Sequence, residues 1–144
     1  MPTPPEDLVE DLRNFLRDHP KLNRILGGDN EHSDDDLKLA LKNALDEINS
    51  FPPPLGNFDF NDFPSRSLLI KGGAIWALES AGIVQSRNRL QYSEGGVSVS
   101  VSDKAQSYQS WIQAFLKTYL QQIQRIKQSI NLQGAFGNAG GLYS

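Results

Sequence analysis

The feature that most constrains this chain is an amphipathic run near its end. After Asp103, residues Tyr108, Trp111, Ile112, Phe115, Leu116, Tyr119, Leu120, Ile123, Ile126 and Ile130 recur at helical spacing, one apolar seam reaching Asn131. Asp103 and Gln106 have capping-box spacing, so the helix is predicted to begin there. Such a helix spans about 42 Å at 1.5 Å per residue. That exceeds what the other helices of a 144-residue chain can cover. The excess must protrude and find a partner, or fray. A coiled coil is the alternative, although the flanking charges that usually accompany one are scarce.

Four shorter helices precede it. Thr3-Pro4-Pro5-Glu6 has capping-box spacing with Pro at the first helical positions, and Leu8, Val9, Leu12, Phe15 and Leu16 form a stripe that His19-Pro20 should stop. A short helix over 20–26 offers Leu22, Ile25 and Leu26 and ends at Gly27-Gly28. The third is the clearest: Ser33 is a good N-cap, with Asp36 three residues on, and Leu37, Leu41, Ala44, Leu45 and Ile48 make its apolar face. The run Asp34-Asp35-Asp36 reads as capping, because it lacks the spacing, central Gly and terminal Glu of a calcium loop.

Residues 51–63 cannot begin as helix, since three prolines follow Phe51. Phe51, Phe58, Phe60 and Phe63 either plug the base of the helical core or form a sticky loop for a partner. The next helix, 64–81, is apolar on most sides, with Leu68, Leu69, Ile70, Ala74, Ile75, Trp76, Ala77 and Leu78. Such a helix is central, or buried on a second face by another chain. Gly72-Gly73 in its middle costs about 1 kcal/mol per glycine in propensity, and close approach of another helix is the natural compensation. Gly72, Gly73 and Trp76 are therefore candidate interface residues.

Gly82 should end that helix, and the period then changes from 3.6 to 2. Across Glu94-Gly95-Gly96, Val97, Val99 and Val101 alternate with serines, a β-hairpin signature over about 87–102. Two strands alone are marginal in water, so the valines are expected to meet the helices or another chain. Residues 132–144 hold four glycines, no charged side chain, and apolar anchors at Leu132, Phe136, Leu142 and Tyr143. The segment reads as a strap that orders on a partner surface, or as simple disorder. The expected fold is thus mainly α: a small helical bundle over 1–131, with the hairpin before the long helix, and an extended arm over 132–144.

Composition removes several function classes. There is no Cys, which excludes disulfides and thiol chemistry, and His19 and His32 are too few for most zinc or His-dependent sites. No metal or cofactor is expected. Glu79, Glu94 and Asp62 are isolated from any His or Gly-rich loop, so an enzyme is not expected. No run of 18 apolar residues and no basic-then-apolar start is present, which suggests a soluble, intracellular protein without a membrane partner. The formal charge of −3 divides unevenly: residues 1–50 hold 12 acids against 6 bases, and 51–144 hold 5 acids against 8 bases. An acidic region of one copy could meet a basic region of the next, or the surplus is simply solvated. Lys104, Lys117, Arg125 and Lys127 are too dispersed for a phosphate-binding stripe.

In order and character the chain resembles the head-to-tail adaptors (head completion or connector proteins) of tailed bacteriophages. The stretches that carry the resemblance are Asp18-His19-Pro20-Lys21-Leu22-Asn23-Arg24-Ile25-Leu26, the Ser33–Pro54 helix with its prolines, and Ser67–Ile83. The Arg87–Val101 hairpin, the long helix and its uncharged tail complete it. The resemblance implies a homo-oligomeric ring, commonly twelvefold, beneath the portal protein in the virion, assembled in the host cytoplasm. By position, Leu132, Phe136, Leu142 and Tyr143 would grip the portal. The opposite end would receive a tail, stopper or other neck protein, and DNA would pass through without sequence-specific binding. The additional N-terminal helix departs from the smaller members of that family. The alternative of another class is an oligomeric DNA-binding, terminase-small-subunit-like packaging protein. It would want a basic recognition helix, and Arg87-Asn88-Arg89 is the only dense basic triplet.

Overall fold

A computed structural model describes residues 2–18, 31–52, 57–94 and 101–143, and for 85–94, 101–105 and 133–143 the backbone alone. The architecture is mainly helical, with α1 Glu6–Leu16, α2 Asp34–Ser50, α3 Arg66–Glu94 and α4 Val101–Tyr143. Helix α3 is central and packs on each of the other three.

Local chemistry explains each boundary. In α2, the Ser33 hydroxyl accepts the Asp36 N–H and the Asp36 carboxylate accepts the Ser33 N–H, both at 3.1 Å, the reciprocal capping box expected from the spacing. In α1 the expected Thr3–Glu6 box does not form. Pro5 is the N-cap, with no side-chain cap, and its carbonyl accepts from Leu8 and Val9 instead. Pro5 itself has no N–H to satisfy, which makes a side-chain partner less necessary there. Helix α1 also stops before His19-Pro20. Arg17 takes the left-handed conformation, φ 57°, and the Asp18 N–H returns to the Arg13 carbonyl. The expected helix over 20–26 lies outside the described residues, as does His19.

The larger departures concern α3 and α4. Gly82 does not end α3, which runs on to Glu94, so the first leg of the expected hairpin is helical backbone. One helical glycine costs only about 1 kcal/mol, and the Arg, Leu and Gln that follow are good helix formers. Val97 and Val99 lie outside the described residues, and Val101 opens α4, two residues before the expected cap at Asp103. At its far end α4 continues through 132–143, where an extended arm was expected. Once a helix is nucleated, each added residue contributes a further backbone hydrogen bond, and no proline interrupts this stretch.

The core follows the apolar stripes. Leu8, Leu12, Leu37, Leu41, Leu45, Ile48, Leu68 and Leu69 are all essentially inaccessible, joined by Tyr119 and Ile123 of α4. Phe60 and Phe63 are buried with them, while Phe51 and Phe58 pack half-buried against the same core. Phe58 and Phe63 meet edge-on with centroids 5.4 Å apart, so the aromatic loop plugs the bundle. The Asn49 amide holds the loop by accepting the Phe58 N–H at 2.8 Å and donating to its carbonyl at 3.1 Å. Residues 66–84 are long and apolar enough to cross a membrane, yet their inner face is buried among α1, α2 and α4.

Candidate interaction surfaces

The glycine pair lies where three helices meet α3. A Cβ on Gly72 would stand 2.5 Å from the Tyr119 hydroxyl and 2.8 Å from the Ala44 Cβ. A Cβ on Gly73 would stand 2.9 Å from Cδ2 of both Leu12 and Leu41. The close approach anticipated from the sequence is therefore met by the chain's own α1, α2 and α4. That places Gly72 and Gly73 inside the bundle, not on the subunit interface expected of them.

Tyr119 is wholly buried at this crossing, and its hydroxyl makes no hydrogen bond of normal geometry among the described residues. Burial, with the Glu47 carboxylate nearby, pushes its phenol well above the ordinary tyrosine range. Glu47 is raised in turn, chiefly by burial and further by the charge of Glu79, while the Tyr119 hydroxyl opposes that shift.

Beside this crossing, α2 and α3 leave an open groove of about 230 Å³. Trp76, Ala40 and Ala77 line its floor, and Leu39 and Ile83 stand at its edges, 57 % and 63 % exposed. Asp36 and Glu79 supply its charge, and among the described side chains no Lys or Arg lines it. Trp76 is half-buried, with an indole N–H that finds no acceptor among the described residues.

Helix α4 presents a second surface. Trp111, Thr118, Arg125 and Leu132 recur every seven residues and lie on one side of the helix. Trp111 is 51 % and Leu132 56 % exposed. Phe115 adjoins this stripe and meets the exposed Phe15 of α1, with centroids 5.6 Å apart. Arg125 is exposed and carries the charge of this stripe, and the exposed Lys117 lies about 100° round the helix from Thr118.

Two polar devices hold the surfaces in place. The buried Arg13 guanidinium donates to the Asp18 carboxylate at 2.9 Å, the His32 carbonyl at 2.9 Å and the Asp34 carboxylate at 2.7 Å. Asp18 also accepts the N–H groups of Glu31 and His32, so one ion pair clips together the chain before and after residues 19–30. The Tyr108 hydroxyl donates to Glu31, which ties α4 to the same clip. At the other end, the wholly buried Lys127 ammonium donates to the carbonyls of Asn49 and Phe51. It supplies the positive charge that the last turn of α2 lacks. Burial holds Lys127 below the ordinary lysine range.

The expected site residues are therefore scattered. Leu132 is exposed, and Phe136, Leu142 and Tyr143 lie on the backbone of α4 beyond it, while Trp76 faces the α2–α3 groove. Sequence reading missed Lys127, Tyr119 and the Arg13–Asp18 clip. A single Lys and a Tyr within an apolar seam were the only signals for the first two. Nothing in the spacing of Arg13 and Asp18 announces a buried pair. Among the described residues no group of His, Asp and Glu could hold a metal ion. No family model, curated relative or solved structure matches the chain.

Proposed function

We propose that this chain is a structural virion protein, a head-to-tail connector whose copies form a ring, twelvefold on the family pattern, beneath the portal of a tailed bacteriophage. The observation that supports this reading most is the length of α4. It has 43 residues, against 11, 17 and 29 in the other helices, and spans about 65 Å. Among its described side chains the buried positions run from Tyr108 to Lys127, and the Leu132 side chain is in solvent. A helix that outruns its own bundle needs surface from elsewhere.

On this reading 1–131 is the body of the connector and 132–144 is the arm that engages the portal through Leu132, Phe136, Leu142 and Tyr143. On the same reading Val97, Val99 and Val101 belong to the end of the body that meets the next subunit or the tail protein. The ring continues the DNA channel without reading its sequence, and the function is geometric rather than catalytic.

The test is the mass of the purified protein alone and mixed with a portal ring, by light scattering. Binding in a fixed ratio is expected. Deletion of 132–144 should leave the thermal transition intact and abolish that binding. A truncated chain that binds the portal as well as the full one would remove the arm from the reading. A full chain that ignores the portal would remove the reading itself.

A further inference from the structure

The α2–α3 groove is short, and its two walls are alike in chemistry. Asp36, Ala40 and Asn43 follow one another at i, i+4 and i+7 on α2, and Trp76, Ser80 and Ile83 do the same on α3. The groove therefore spans two turns of each helix, about 10 Å. Its floor holds the buried Ala40 and Ala77 beside the half-buried Trp76. Leu39 on α2 and Ile83 on α3 form exposed apolar rims. Each wall also carries one acid, Asp36 on α2 and Glu79 on α3. Both acids are exposed, and neither forms an ion pair among the described residues.

We propose that this groove is the docking site for an amphipathic helix of a different protein, with a narrow apolar stripe and a Lys or Arg on each flank of it. The alanine floor lets a third helix approach closely, since the side chains at a contact set the distance between helix axes. Apolar residues at i, i+4 and i+7 of that helix would meet Trp76, Leu39 and Ile83, the usual way a helix enters a groove. An apolar occupant alone would strip water from two unpaired carboxylates, and a cation on each flank offsets that cost. Because the groove is so short, a flanking Lys or Arg reaches the acid on its own wall without a change of register.

Among the described side chains no helix of this chain has that pattern. The outer side of α1 carries Glu6, Asp7 and Glu10, and the exposed large apolar residues of α4, Trp111 and Leu132, are about six turns apart. The inference goes beyond the connector reading and does not rest on it.

Trp76 makes the groove its own reporter. In full-length protein carrying Trp111→Phe it is the only tryptophan. The probe is a synthetic peptide without tryptophan, about 16 residues long so that it can hold a helix. It carries Leu at i, i+4 and i+7 with Arg on both flanks, and a control peptide carries Glu on the flanks instead. The Arg-flanked peptide should shift Trp76 emission saturably, and added salt should weaken the binding. Glu79→Lys should weaken that peptide by about tenfold and strengthen the Glu-flanked one. Ile83→Asp should abolish the shift. Glu79, Ile83 and Trp111 are all exposed, and thermal melting checks that each variant folds as the parent does.

Trp76 emission that ignores the Arg-flanked peptide overturns the inference. Equal affinity for the two peptides does so as well, since apolar contact alone would then explain the binding. Two other occupants have their own signatures, and either one overturns it. If the peptide binds only after Leu22→Ser and Ile25→Ser, the chain's own residues 20–26 compete for the groove. If the protein self-associates in sedimentation velocity and Ile83→Asp prevents it, the occupant is a second copy. None of these outcomes alters portal binding, which tests the connector reading separately.

Discussion

Helices α2 and α4 are both amphipathic, yet they meet their surroundings on different terms. The 17 residues of α2 begin in a reciprocal capping box, and every residue of its apolar face is buried within the chain. Among its described side chains, the 43-residue α4 buries a seam between Tyr108 and Lys127, and Trp111 and Leu132 stand in solvent. An amphipathic stripe thus reports that a helix has a partner, whereas length relative to the neighbours reports whether that partner is the same molecule. The polar anchors differ in kind as well. Arg13 is matched to carboxylates, while Lys127 is matched only to carbonyls at the end of α2.

The sharpest way to break this contrast is at the α1–α2 clip. Arg13→Leu should lower stability by about 3 kcal/mol, because it leaves the Asp18 carboxylate buried without its counter-ion. Denaturant unfolding of the two proteins measures it, and a loss below about 1 kcal/mol would mean that the Glu31 and His32 N–H groups satisfy Asp18 unaided.

Next in size is the helix crossing. Gly72→Ala gains about 1 kcal/mol in helix propensity. It also forces a methyl group against the Tyr119 hydroxyl and the Ala44 methyl, an overpacking that costs about 1–3 kcal/mol. A lower melting temperature in the isolated protein is expected. Adding Tyr119→Phe removes the atom 2.5 Å from the new methyl and should recover part of the loss. If Gly72→Ala raises the melting temperature instead, the crossing is looser than it looks.

A smaller effect depends on pH. Folding raises Glu47 above its ordinary value near 4.5, so its contribution is fully present when the group is protonated in both states. That contribution is lost as pH climbs through the raised value, where the folded state holds its proton longer than the unfolded chain does. Glu47→Gln should therefore change stability little at pH 4 and should lose less than the parent between pH 4 and 7. Parallel melting curves across that range would show that Glu47 is solvated.

The smallest effect should come from the end of α4. Cutting the chain after Leu132 leaves the buried seam from Tyr108 to Lys127 whole, so stability should hold within about 0.5 kcal/mol. A larger drop would mean that the terminal segment packs on its own bundle, and the contrast between α2 and α4 would close.

Much of this was legible in residue spacing. The face of α2, its Ser33–Asp36 cap, the two-sided burial of α3 and the seam of α4 are local patterns with one physical reading each. The groove between α2 and α3 was not legible, because its floor and edges come from residues some forty positions apart. The Val/Ser alternation pointed to strands, yet helix takes the backbone on both sides of residues 95–100, since helix propagation costs little where no proline stands.

What the sequence determined by itself was where helices can exist and which side of each is apolar, because both follow from contacts within a few residues. Only the tertiary structure decided which helix lies in the middle and what the glycine pair accommodates. It alone turned Arg13 and Lys127 inward, to a carboxylate and to a helix end. Those outcomes depend on backbone separations and desolvation, which arise only when distant parts of the chain share one core.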